Sequence, residues 1–233
     1  MIDTELILIE GVPCSGKSTT AKNLMTAISA CGIKCQCFLE WAENNPIFIG
    51  KMEELSDIIS TTKSREQHVL RDWKNFTKKA KHDDTVTVIE SRFWQTDAMY
   101  LYLSGHSEYD VAKSNQRIIS VISELHPVLI YLAPEDMAQL FTPVAEVKNK
   151  EWRESGREGS WEQWGNAVYE RQTWFTHRSL KGSNATHTFF NEWVSMAERL
   201  YEGLPFRKIK IQNPQADWER TMGTIRDFLK MNR

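Results

Sequence analysis

Residues 11–19 read GVPCSGKST and set Gly11, Gly16, Lys17 and Ser18 at the spacing G-x-x-x-x-G-K-[ST]. Those residue types in that order can grip a polyphosphate. Glycines let the backbone curl until successive amide N–H groups face phosphate oxygens. A helix starting at the lysine adds its unpaired N–H groups and the positive end of its dipole. Lys17 can then reach the β- and γ-phosphates, and the Ser18 hydroxyl can ligate Mg²⁺. The expected nucleotide contacts are Gly11, Pro13, Cys14, Ser15, Gly16, Lys17, Ser18 and Thr19. A Gly/Ser turn could match by chance, but it would have no reason to lie between a strand and a helix, as this one does. The implied ligand is a nucleoside triphosphate with Mg²⁺.

The elements around the loop are legible from periodicity. Leu6–Glu10 (LILIE) is a short apolar run, read as a buried strand, and Lys17–Ala30 repeats Ala21, Leu24, Met25 and Ile28 on one helical stripe. Gly32 ends that helix, and Lys34–Leu39 is a second strand. Residues 46–82 read as mostly helical, with Pro46 as a first-turn proline. Thr85–Ile89 (TVTVI) is a third strand, followed by helices through Glu124, and Val128–Leu132 (VLIYL) is a fourth. Residues 135–203 read as helical and polar, Phe206–Ile211 as a fifth strand, and Trp218–Lys230 as a closing amphipathic helix. Short apolar strands alternating with helices predict an α/β chain whose parallel sheet is covered on both faces. The expectation is one domain over residues 1–233, with a helical insertion at about 142–182.

In open parallel sheets ligands gather beyond the carboxyl ends of the strands. Glu40 follows the second strand, in FLEWAENNP, and Glu90 follows the third, in TVIESRFW. With GVPCSGKST and the arginine-bearing insertion, these residues make the chain resemble the P-loop kinases, in the branch of thymidylate kinase and the deoxynucleoside kinases. That resemblance covers the general layout, although only the first motif is specific. It implies a P-loop NTPase fold with five parallel strands in the order 2-3-1-4-5 and a helical lid. It makes Glu40 the candidate general base or orienting group, with Glu43 as fallback; a solvated strand-end carboxylate is the open alternative. Glu90 would support Mg²⁺ alongside Ser18, and Arg92 would reach the acceptor or the phosphates. The family places its acidic residue and arginine side by side, whereas here Ser91 stands between Glu90 and Arg92, which leaves the direction of Arg92 open.

The resemblance also assigns the insertion. Lys150, Arg153 and Arg157 fall at i, i+3 and i+7, one face if helical, and Arg153 and Arg157 reproduce the family's Arg-x-x-x-Arg lid spacing. Guanidinium groups brought over a transferring phosphoryl stabilise its charge and help exclude water. Arg171, Trp174 and Arg178 repeat the spacing, and Gly156 and Gly159 are candidate hinges. A solvated basic face is the competing reading. Trp152, Trp161, Trp164 and Trp174 serve either as the insertion's own core, the favoured reading, or as an aromatic wall for a planar acceptor. The family often holds the nucleotide base with the loop after the last strand, here Gln212–Asn213–Pro214–Gln215. That loop lacks the Asn-Lys-x-Asp run that selects guanine, so ATP is preferred and Asn213 is assigned to adenine.

Composition narrows the class. The 233 residues carry 29 Lys and Arg against 31 Asp and Glu, a net charge of −2, which argues against a dedicated nucleic-acid binder. No apolar stretch has the length of a membrane span, and the amino end does not read as a signal peptide, so a cytoplasmic chain is expected. Cys14, Cys31, Cys35 and Cys37 have no histidine nearby to complete a zinc set, and all four are read as packing. The function expected is transfer of the γ-phosphate of Mg·ATP to a small-molecule acceptor. A hydroxyl fits better than a phosphate, because Glu40 and Glu43 make the segment after the second strand acidic. A thymidylate-kinase-like nucleotide kinase and a nucleotide-hydrolysing switch are the alternatives, and a homodimer is left open.

Overall fold

Strand β1 (Leu6–Gly11) is buried along its whole length, and its side chains divide between two cores with the two-residue period of a strand. Leu6 and Leu8 enter one cluster, while Ile7 and Ile9 enter the other. A strand fed apolar side chains on both faces must lie inside its sheet, and β1 is the central strand. Beside it run β2 (Cys35–Phe38), β3 (Val86–Glu90), β4 (Val128–Ala133) and β5 (Arg207–Gln212), all parallel, in the order β2-β3-β1-β4-β5. The expected sheet is the observed one. The computed structural model describes residues 2–231, apart from the side chains of 138 and 139.

Helix α1 (Lys17–Ala30) covers one face with Ala21, Leu24 and Ile28, joined there by α10 (Trp218–Phe228) through Met222 and Ile225. The opposite face carries α2 (Leu55–Ser60), α3 (Thr62–Ala80), α4 (Met99–Leu103) and α5 (Glu108–Ile122). The segment between β4 and β5 forms α6 (Met137–Glu154), α7 (Trp161–Tyr169), α8 (Thr173–Thr176) and α9 (Gly182–Glu202). Trp174, Phe175 and Phe189 of this segment join Leu6, Leu8, Trp73 and Ile89 in one continuous core. Each fully buried Leu, Ile or Phe in that layer contributes roughly 1.5–3 kcal/mol. No helix among the described residues is long and apolar enough to cross a membrane.

Two expectations need correction. Residues 46–51 are not helical, and the chain becomes helical only at Met52. Asn45 is the cause: its Oδ1 accepts from Ile47 N–H at 3.0 Å and its Nδ2 donates to the Leu39 carbonyl at 2.9 Å. That local turn competes with a helix, and it leaves Ile47 and Ile49 buried as plugs in the core. The cysteines also divide. Cys35 and Cys37 pack on the core beneath α1, but Cys31 is exposed and Cys14 lies in the glycine-rich loop.

Candidate active site

The register of the sheet brings the chemistry together. Ile9 pairs with Glu90, Gly11 with Leu132, and Phe38 with Ile89, so the ends of β2 and β3 open beside the loop that follows β1. Within that loop Gly16 sits at φ +88° as the residue before α1. No side chain caps α1, and its first turn holds no acidic residue, so its leading N–H groups are left for an anion. Lys17 is buried, and its Nζ donates to the Val12 carbonyl at 2.7 Å. A Cβ on Gly11 would stand 2.6 Å from the Leu132 carbonyl, and one on Gly16 would enter the Trp218 ring. Gly16→Ala adds a left-handed alanine to that collision. It is expected to weaken ATP binding about tenfold or more by calorimetry, since 1–2 kcal/mol of backbone strain accompanies the displaced loop; unchanged affinity would contradict this geometry.

Glu90 organises the carboxyl ends of the strands. Its Oε1 accepts from Ser18 Oγ at 2.7 Å and its Oε2 from the Glu40 backbone N–H at 3.1 Å. Glu40 is buried at 9% exposure, and Gln95 Nε2 lies 3.0 Å from both of its carboxylate oxygens. Burial is the main reason that its pKa rises to about 7; Glu90 pushes the same way, while Lys17, Arg92 and the Gln95 hydrogen bond oppose it. Glu43, the fallback, is exposed.

The serine between Glu90 and Arg92 is absorbed by the backbone. Ser91 takes φ +62°, a strained conformation for a residue with a side chain, and its carbonyl accepts from both the N–H and the hydroxyl of Thr96. The turn carries Arg92 inward until it is fully buried. There its guanidinium lies 5.9 Å from the Trp41 ring centroid, and none of its three nitrogens has a hydrogen-bond partner among the described residues. Burial pulls the Arg92 pKa down, against the attraction of Glu40, Tyr100, Asp97 and Glu90.

Beneath the turn lie two acids that sequence reasoning did not single out. Glu10 follows Leu6 and Leu8 in phase on β1, which sends its carboxyl into the same layer; no spacing rule marks it, because it reads as the end of an apolar run. Asp97 is also buried, with Trp73 Nε1 at 3.5 Å from its Oδ2. Burial raises the Asp97 pKa from 3.8 to about 8, helped by Glu10 and Glu66 and opposed by Trp73 and Arg92. The folded chain thus holds a proton that the unfolded chain releases. The resulting stability is full below the unfolded value and is lost as pH rises through the folded one. In Asp97→Asn the decline of Tm between about pH 4 and pH 8 becomes shallower than in the parent chain, as thermal melts across that range will report; parallel profiles would count against it.

The lid residues are placed differently from the expectation. Helix α6 ends at Glu154 and Gly156 turns at φ +74°, so Arg157 lies beyond the helix and shares no helical face with Lys150 and Arg153. Arg153 is exposed, and Arg157 stacks over Trp152 at 4.7 Å and pairs with Glu53 at 3.7 Å. Neither lines the cleft; Lys148 of α6 does. Arg178 stacks over Trp174 at 4.3 Å. Of the tryptophans, Trp174 is core and Trp152 packs against Trp164 at 5.5 Å, whereas Trp161 and Trp164 face the cleft. Asn213 is taken up elsewhere as well: its Oδ1 accepts from Glu135 N–H at 3.0 Å and its Nδ2 bonds the Glu135 carboxylate. The neighbouring Gln215 and Trp218 line the cleft instead, with Gln215 Nε2 on the Cys14 carbonyl.

Together these residues bound a cleft of about 450 Å³. Lys17, Ser18, Gln215 and Trp218 line it around the glycine-rich loop, and Glu40, Gln95, Trp41, Tyr100 and Tyr169 line it as well. No cluster of three or more His, Cys, Asp or Glu that could hold a metal occurs among the described residues. Ser18 Oγ and Glu90 are nevertheless hard oxygen donors side by side at the phosphate end. That sparse set fits Mg²⁺, which takes few protein ligands and completes its shell with phosphate oxygens and water.

No protein-family model matches the sequence, and no curated protein does. Solved structures share its fold. A deoxyadenosine kinase from M. mycoides, solved with dATP bound, superposes with a TM-score of 0.51 at 18% identity over 98% of this chain and 100% of its own. Thymidylate kinase from Candida albicans gives 0.53 at 14% identity over 99% of this chain and 92% of its own. The chain has the fold of these P-loop kinases.

Proposed function

We propose that the chain is an ATP-dependent kinase that phosphorylates a hydroxyl on a small, planar or apolar acceptor. The observation that carries this reading is that a polyphosphate loop and a desolvated carboxyl, Glu40, share one cleft. The fold shared with two solved kinases supports it. So do the rings of Trp41, Tyr100 and Tyr169 around Glu40, which suit a planar acceptor.

In this reading the amides of residues 11–19 and Lys17 hold the triphosphate, and the Trp218 face packs beside its base. Ser18 and Glu90 hold Mg²⁺, which when bound neutralises charge on the β- and γ-phosphates. Glu40 accepts the proton of the acceptor hydroxyl. The acceptor oxygen then bonds to the γ-phosphorus, the bond to the β–γ bridging oxygen breaks, and ADP departs with that electron pair. A pKa near 7 leaves enough Glu40 ionised at neutral pH to take the proton. Arg92, desolvated near Glu40 but outside the cleft lining, does not meet the acceptor or the phosphates as the resemblance implies; its charge favours the ionised form of Glu40. Lys148, which lines the cleft from α6 and pairs with Glu151 at 2.7 Å, takes the role that the resemblance assigns to Arg153 and Arg157.

A second reading has one specific observation behind it. Arg92, buried outside the cleft lining, is a guanidinium with no hydrogen-bond partner among the described residues, and its unmet donors suit an acceptor phosphate that displaces the wall in front of it. Labelled ATP offered with nucleosides, nucleoside monophosphates and hydroxyl-bearing antibiotics separates the possibilities. Label on a nucleoside or antibiotic hydroxyl supports the first reading, and label only on monophosphates supports the second. Label appearing only as free phosphate would favour a hydrolytic switch.

A further inference from the structure

Of the two buried acids that the mechanism above leaves unused, Glu10 and Asp97, Glu10 is the one that grips backbone N–H groups. It is fully enclosed, yet it is far from idle: its Oε1 accepts from Phe93 N–H at 2.8 Å and its Oε2 from Gln95 N–H at 3.2 Å. Burial drives its pKa up to about 7, while those amides, that of Trp94 and the charge of Lys17 hold it down. The segment it clamps is unusual. Residues 94–98 form a single wide π-type turn, a conformation that needs support from outside itself. From that turn the Gln95 side chain projects to bridge both oxygens of Glu40. Glu10 is not among the residues lining the cleft.

We infer that Glu10 is a positioning residue for the acceptor end of the site, fixing the Phe93–Gln95 backbone so that Gln95 can orient Glu40. The inference rests on the kinase reading only for its effect on turnover; the positioning itself is a property of the folded chain. Among side chains of this size only a carboxylate can set a separate acceptor oxygen against each of the two N–H groups. Glutamine is isosteric but brings an NH₂ group, which must face either Phe93 N–H or Gln95 N–H, donor against donor. Aspartate keeps both acceptors on a shorter arm. The register of β1 gives the clamp a rigid base, because Glu10 pairs with Tyr131 of β4 inside the sheet.

The test uses the full chain. The ¹⁵N–¹H signals of the Gln95 side-chain amide, assigned by their loss in Gln95→Ala, report its bonds to Glu40 with neither nucleotide nor acceptor present. In Glu10→Gln they should move to the positions of a solvated amide, with a smaller displacement in Glu10→Asp. Signals unchanged in Glu10→Gln would overturn the inference. With deoxyadenosine as acceptor, Glu10→Gln should lower kcat/KM by roughly 10²-fold, the scale of a small misplacement of reacting groups, while ATP affinity stays within about twofold. A comparable loss of ATP affinity would also overturn it, since Glu10 would then be acting on the phosphate loop. If Glu10 acts through Gln95, adding Glu10→Gln to Gln95→Ala should deepen the defect by no more than about twofold, whereas independent structural damage would add in full. Should Glu10→Gln not fold, Glu10→Asp carries the same amide and double-variant measurements. Absence of turnover in the parent chain with every acceptor of the panel above would count against the kinase reading alone, because the amide signals still decide the positioning.

Discussion

Lys17→Ala is expected to reduce phosphoryl transfer by roughly 10³-fold, the loss associated with removing a donor aimed at developing charge. Lys17 is the ammonium that the loop itself holds in place, through the Val12 carbonyl at 2.7 Å. It is buried, so its charge acts through a medium poor in water, where it counts for more than a surface lysine would. The fold should survive. Helix α1 is anchored by Ala21, Leu24 and Ile28 beneath the sheet, and none of those contacts passes through Lys17. Circular dichroism and a thermal melt close to the parent's, together with lost transfer of label, are the expected pair of results. Turnover that persists unchanged in this variant would refute the site.

Glu40→Gln has the second largest expected effect. Its geometry isolates the chemistry, because glutamine fills the same volume and can still accept one hydrogen bond from Gln95 Nε2. What it loses is the ability to take a proton. With a hydroxyl acceptor, kcat should fall by roughly 10²–10⁴-fold, the usual contribution of a placed general base, and an effect under about threefold would remove Glu40 from that role. The affinity for ATP should change little, since the phosphate loop keeps its own amides and Lys17. Stability should hold or rise slightly, because a carboxyl raised to about 7 by burial is replaced with a neutral group.

The two variants probe one cleft, and they differ in how readable their residues were. Lys17 announces itself. Its neighbours on both sides are small, the strand before it is continuous and the helix after it is periodic, so spacing along the chain is spacing in space. The same holds for the inner strands β1, β3 and β4, whose buried runs require a sheet covered on both faces, and for Ser18, whose hydroxyl follows directly from Lys17. Glu40 and Glu90 were legible as strand-end carboxylates, although nothing in the sequence says that Glu40 would be desolvated enough to reach a pKa near 7.

Arg92 marks the boundary. Its presence after β3 was clear, but its direction depended on whether Ser91 would continue the strand or turn. The answer, a φ of +62°, is decided by two hydrogen bonds from Thr96 and by the room beneath β1. Gln95 and Glu10 lie past that boundary. One sits on a π-type turn that local propensity does not favour; the other looks like the tail of an apolar strand. The insertion erred the other way: Arg153 and Arg157 had helical spacing, but the helix stops at Glu154 and Gly156 sends the chain elsewhere. The resemblance likewise assigns Asn213 to the base through its place in the loop, whereas its side chain is committed to Glu135.

What this sequence determined by itself is whatever rests on contacts between near neighbours in the chain: the phosphate loop, the α/β alternation and the rank of acids at the strand ends. Tertiary structure alone decided which of those acids lose their water, which cation reaches the cleft and which amide holds Glu40. The physical reason is that desolvation and long-range hydrogen bonding are set by packing between segments such as β1 and the turn after β3. Glu10 and Gln95 lie 85 residues apart along the chain, and only the folded sheet brings the carboxyl of one to the N–H of the other.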